Sequence, residues 1–253
     1  MDRDYAALER VSMRRRSVLA TAPTLLAASL LGGCGAMFPK RESLRFRVTV
    51  TTDTPSGSVS GSSVLENRNE AGAGGSLRMV QNPKAECFGE AVVVDLGEGR
   101  VIFAVREDAY VTRRMYEMVE QMLAYPAPEL QPPLPSHPSR GDWGTAYPEA
   151  RRVKPAARVH RTDYPLFVTF ADLHDHTTIK EVDPDDLGAT FGPGYRLDRV
   201  TVQVTDDPVT DGIVTQWLPW LTPLNQPFPF KDLHKAADPV AHLGKHAFKY
   251  MSY

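Results

Sequence analysis

Asp172, His174, Asp175 and His176 fall within five residues, directly after the apolar run Leu166–Ala171. Alternate side chains of an extended segment point the same way, so His174 and His176, with a carboxylate such as Asp172, would chelate one metal ion. Asp183, Asp185 and Asp186 follow and would add hard oxygen ligands. The spacing matches no established metal motif, and acidic segments of this kind also make solvated turns; Asp183-Pro184-Asp185-Asp186 reads as a turn or helix start. His242 and His246 stand four apart, a zinc spacing on a helix, but the His-Glu-x-x-His pattern is absent and both lie away from the apolar side of their segment. Ser60 precedes Gly61, yet it sits one place late for the Gly-x-Ser-x-Gly elbow of a serine hydrolase, in a segment that looks like a hairpin. Phe191-Gly192-Pro193-Gly194-Tyr195 is a tight turn without the lysine and helix of a phosphate loop. Trp217, Leu218, Trp220 and Leu221 either seal the core or offer an aromatic patch to a partner, and Trp217 and Trp220 are then the candidate binding residues.

The elements that must position these residues are strands for the most part. Leu44, Phe46, Val48 and Val50 alternate with Arg45, Arg47, Thr49 and Thr51, the pattern of a half-buried strand, and Ser58–Leu65 reads as its return after a turn at 54–57. Residues 66–85 read as a mobile loop. Ala91–Leu96 and Val101–Val105 are continuous apolar runs joined by Gly97-Glu98-Gly99, predicting a central hairpin covered on both faces. Val111, Met115, Met118 and Met122 recur at helical spacing and predict a helix over 110–124 with a methionine stripe in the core. Residues 126–165 carry nine of the 21 prolines and read as an extended linker or long loop. Beyond it, strands are predicted at 166–171, 178–182 and 197–204, a helix from 208 or 209 toward Trp217, and a last helix after Asp238-Pro239 with Val240, Leu243 and Ala247 on one side. The sum is an α+β fold, mainly antiparallel β hairpins with two or three packing helices, in two halves, 44–125 and 166–253, that make one domain or two.

The N-terminus addresses the chain. Arg14, Arg15 and Arg16 precede Val18–Leu31, fourteen residues without a charge, and Gly32-Gly33-Cys34 follows: the three-part order of a secretory signal over residues 1–33. Fourteen residues make a helix of about 21 Å, too short for a bilayer core of about 30 Å. Residues 1–12 hold three acids, which makes Met13 a plausible true start. Without residues 1–33 the chain keeps 24 basic and 28 acidic residues, a balance that leaves no basic surplus for nucleic acid. Cys87 is then the single free thiol, so an internal disulfide is excluded and Cys87 reads as a small apolar residue.

Leu31-Gly32-Gly33-Cys34 resembles the lipobox of bacterial lipoproteins. The resemblance implies cleavage before Cys34, lipidation of its sulfur, and a membrane anchor facing the periplasm, with 34–43 as a tether. Arg15-Arg16-Ser17-Val18-Leu19 resembles a twin-arginine export motif. Gly35 stands where enteric inner-membrane lipoproteins carry Asp, which favours the outer membrane. From Phe46 through the Asp183–Leu187 and Thr205–Val209 segments the chain is similar to a group of proteobacterial exported proteins that implies no activity. The leading expectation is a lipid-anchored cell-envelope protein with a binding or structural role, with an envelope protein as a further partner. The alternative is a metal-dependent periplasmic enzyme using His174 and His176, the metal being the one cofactor the sequence invites.

Overall fold

A computed structural model of the chain describes residues 40–71, 85–107, 114–124, 130–134, 143–222, 240 and 243–250. Phe38–Tyr253 forms one compact unit, and every described residue lies in it. The fold is α+β, with nine strands in two antiparallel sheets among the described residues.

The alternating segment is strand β1 (Lys40–Thr54), and its return is β2 (Gly57–Ala71), joined by the two residues Pro55 and Ser56. β2 thus runs six residues into the predicted loop: β3 (Ala85–Phe88) pairs with Glu66–Asn69 and extends the ladder there, while 72–84 lie outside the described residues. On the other side of β1 lies β9 (Arg196–Val204), so the two sequence halves share one sheet. β6 (Ala156–Arg158) closes it, in the order β3-β2-β1-β9-β6. Leu44, Phe46, Val48 and Val50 meet Val200, Val202 and Val204 on the inner face, each at most 1% exposed. Arg45, Arg47, Thr49 and Thr201 stand on the outer face, as the period of two demands.

The second sheet has the order β4-β5-β7-β8: β4 (Val92–Gly97), β5 (Arg100–Ala104), β7 (Phe167–Phe170) and β8 (Ile179–Glu181). Gly97, Glu98 and Gly99 all have positive φ in the turn between β4 and β5, as the sequence requires. The expectation of a hairpin covered on both faces holds for β5 and fails for β4. β4 is an edge strand whose Asp95 and Gly97 are exposed. Its run of valines serves a crossing instead: β4 passes over the inner face of β2 at Gly61, where a Cβ would sit 1.8 Å from the Val93 carbonyl oxygen. Only a residue without a side chain lets the two backbones come that close.

The four-stranded sheet separates two cores. Val92, Val94, Ile102 and Ala104 face the large sheet and the helices; Val101, Phe103, Val105, Val168 and Phe170 face the other way. Helix α1 (Met115–Ala124) buries Met115, Met118 and Met122 as the stripe predicts; Val111 lies outside the described residues. The segment read as a linker is a correction: it contains helix α2 (Trp143–Val153) and β6, and Gln131 pairs with Ala156. Its prolines conceal a helix that buries Ala146, Tyr147 and Ala150, three positions on one face.

The last third differs most from expectation. After the short helix α3 (Leu187–Phe191) and β9, Thr205–Thr210 runs as a strap from β9 past β1 to β2: the Thr205 N–H meets the Arg45 carbonyl, and Thr210 exchanges hydrogen bonds with the Val64 backbone. The helix expected from 208 is only α4 (Ile213–Trp217). The predicted start at Asp238 lies outside the described residues; further on, Lys245–Ala247 makes a single 3-10 turn instead of a helix. Its continuation runs antiparallel to Gly89–Ala91, through Ala91 N–H to the Phe248 carbonyl and Tyr250 N–H to the Gly89 carbonyl. No described helix is long and apolar enough to cross a membrane.

Candidate functional site

The Asp172 corner joins β7 to β8. Asp172 Oδ1 accepts the His174 N–H at 2.9 Å, and the Asp172 N–H reaches Thr178 Oγ1 at 3.0 Å. Asp175 caps the 3-10 turn His176–Thr178 by accepting the Thr177 N–H and hydroxyl, and those bonds hold its carboxyl below the usual range. Asp183 accepts the Asp185 N–H, and Asp186 caps α3 through the Ala189 N–H. Asp185 takes the two prongs of the Arg161 guanidinium at 2.7 and 2.6 Å, which lowers its pKa. Each carboxylate flagged by the sequence is thus engaged by a neighbour in its own turn or by Arg161. His174 is exposed, while the His176 ring lies 5.8 Å from that of Trp220. Among the described residues no three His, Cys, Asp or Glu side chains gather as metal ligands would.

The tryptophans sit beside this corner. Trp220 donates its indole N–H to the Leu173 carbonyl at 2.8 Å and meets Phe170 edge-on at 5.6 Å. Trp217 and Trp220 are both half-buried against the second core, which Phe103, Phe170 and Phe248 fill. They seal that core, and the one strongly exposed large hydrophobic among the described residues is Ile213.

Ser60 donates to Thr51 Oγ1 at 3.0 Å on the outer face of the sheet, and Gly61 is the crossing point described above. Gly192 and Gly194 have positive φ in a turn that sets Tyr195 against Arg100 and Gly194 against Pro55 at the hairpin tip. Burial pushes the Cys87 thiol pKa up, against the pull of Arg106, so it stays protonated. His246 is exposed and lies 3.3 Å from Glu107; His242 and Cys34 lie outside the described residues. A half-open cavity of about 480 Å³ lies between α1 and β6, lined by Met118, Met122, Val159, Val202, Arg158 and His160. Of the polar groups along it, Arg158 donates to the Asp198 carbonyl, His160 pairs with Thr162, and Asp163 accepts the Thr162 hydroxyl.

Two polar clusters escaped the sequence reading. Glu90 is 1% exposed and accepts N–H groups from Gly212, Ile213 and Val214 at 2.8–3.0 Å. Lys249 lies 3.1 Å from the same carboxylate and also pairs with Asp211. Burial works against the Lys249 charge, but Asp211 and Glu90 outweigh it and raise its pKa, while Lys249 lowers that of Asp211. This junction ties β4, the end of the strap and the C-terminal segment together. The second cluster is Tyr147, whose hydroxyl meets Glu120 at 3.2 Å; burial first, then Glu120, pushes its pKa far up. The available signal was Glu90 itself, a lone acid abutting an apolar run.

No family model, no curated protein and no solved structure matches the chain.

Proposed function

We propose that this protein is a lipid-anchored component of a bacterial cell envelope, held by acyl chains on Cys34 and facing the periplasm, with a binding or structural role. The observation that carries the reading is the order of residues ahead of the fold: three arginines, fourteen residues without a charge, and Cys34. Six positions of sequence separate Cys34 from Lys40, where the first described strand begins. Two or three acyl chains, at about 0.8 kcal/mol per buried CH₂, anchor a protein stably where one chain does not. The binding or structural side of the reading draws on the engaged state of the flagged groups: the aspartates cap turns, and the tryptophans close a core.

Fractionation of cells producing the wild-type chain and Cys34→Ser tests this. The wild type goes to the membrane fraction at processed length, and the variant loses that partition or keeps its leader. A Cys34→Ser chain that stays with the membranes at full processed length overturns the reading.

A further inference from the structure

We infer that the end of the five-stranded sheet where β1 begins rests on the phospholipid headgroups of the anchoring bilayer, presenting Arg45, Arg68 and Arg151 to their phosphates. The inference rests on the proposed anchor at Cys34. Six residues of chain reach at most about 20 Å. β1 is laddered to β2 from its first residue, Lys40 opposite Ala71, so the tether meets a fixed sheet end. At ~3.3 Å per residue the hairpin tip at Pro55 and Ser56 stands about 50 Å away along the strands.

The charges at the near end are layered. On the outer face Glu66, 7% exposed, lies beneath Arg68 at 3.2 Å and Arg45 at 3.5 Å, whose side chains are 49% and 43% exposed. On the inner face Glu42, 6% exposed, lies beneath Arg151 at 2.8 Å, which is 39% exposed. Arg151 also donates to the Ser43 carbonyl, fixing the C-terminal end of α2 to the start of β1. At Glu66 and Glu42 the carboxylates are inside and the guanidiniums outside, with one exposed acid, Glu86, opposite Arg68 on β3, so a layer of phosphates meets guanidinium groups that Glu66 and Glu42 hold from beneath. On the strap the order is reversed: Asp211 is 75% exposed outside Lys249 at 27%.

The test uses the full lipidated chain in vesicles of phosphatidylcholine and phosphatidylglycerol carrying a nitroxide headgroup quencher. A dye is placed at Arg152→Cys or at Ser56→Cys, each with Cys87→Ala; acylated Cys34 takes no label. The dye at 152 loses most of its emission and the dye at 56 keeps it. Equal quenching of the two, in a protein that floats with the vesicles, overturns the orientation alone. A chain that fails to float, or a Cys34→Ser chain that floats as well, overturns the anchor and the orientation together. Replacing phosphatidylglycerol by phosphatidylcholine, or adding salt, weakens quenching at 152. Quenching indifferent to both removes the arginines from the contact.

Discussion

The Asp172–Asp186 corner and the Glu90 junction both depend on carboxylates, and they use them in opposite ways. At the corner, four aspartates accept N–H groups two or three residues along the chain, at the surface. At the junction, one buried glutamate accepts N–H groups from residues more than 120 positions away and holds a lysine from the C-terminal segment. The first arrangement shapes a turn; the second joins three parts of the fold. A dense acidic segment in a sequence is therefore a weak guide to where buried charge organises a molecule.

The sharpest way to break this contrast is to remove the junction. Glu90→Ala leaves Lys249 and three helix N–H groups without their acceptor, and should destabilise by about 3–5 kcal/mol in denaturant titration. Glu90→Gln, which still accepts, should lose less. A loss below about 1 kcal/mol for the alanine would reduce Glu90 to a surface acid. Trp220→Ala comes next at about 2–3 kcal/mol, below the range for a fully buried ring because Trp220 is half-buried. Gly61→Ala forces β4 off β2 and should destabilise by about 1–3 kcal/mol, while Ser60→Ala beside it should be close to neutral. Equal values for the two would mean that the crossing has room for a side chain.

Acid tests the buried Glu66 carboxylate and the half-exposed arginines that pair with it. Burial raises the Glu66 pKa, but Arg68 first, then Ser43 and Arg45, outweigh it and hold the folded value below the ordinary 4.5. The unfolded chain then binds the proton more readily, so this stabilisation is present above pH 4.5 and is lost as the pH falls through the folded value. The melting temperature should fall on titration from pH 5 to about pH 3, and less so in Arg68→Gln, where the partner is gone. The smallest effect belongs to the corner itself: Asp172→Ala should stay within about 0.5–1 kcal/mol, and zinc, manganese or calcium should leave the melting temperature unchanged. A metal-dependent rise that Asp172→Ala abolishes would restore the corner as a metal centre.

What was legible follows from how far each signal travels along the chain. β1 and β2 announce themselves because one face is buried and the period of two is strict over Leu44–Thr51. The methionine stripe of α1 and the positive-φ turn Gly97–Gly99 are equally local. α2 was hidden because prolines surround it and Pro148 stands inside it, so composition argued against the one face formed by Ala146, Tyr147 and Ala150. The crossing of β4 over β2 depends on Gly61, 32 positions from the Val93 it meets, and an apolar run does not encode which strand it will cross. The strap and the C-terminal segment are held by pairings over long separations, which leave no period behind. Cys34 is the reverse case, since its whole signal lies in some twenty neighbouring residues.

Intact mass analysis of the N-terminal peptide from the membrane-extracted protein tests the central claim most directly. The account expects a peptide beginning at Cys34 with diacylglycerol on sulfur and added acyl mass. An unmodified Cys34 within an intact leader, on a chain recovered from the soluble fraction, would contradict it.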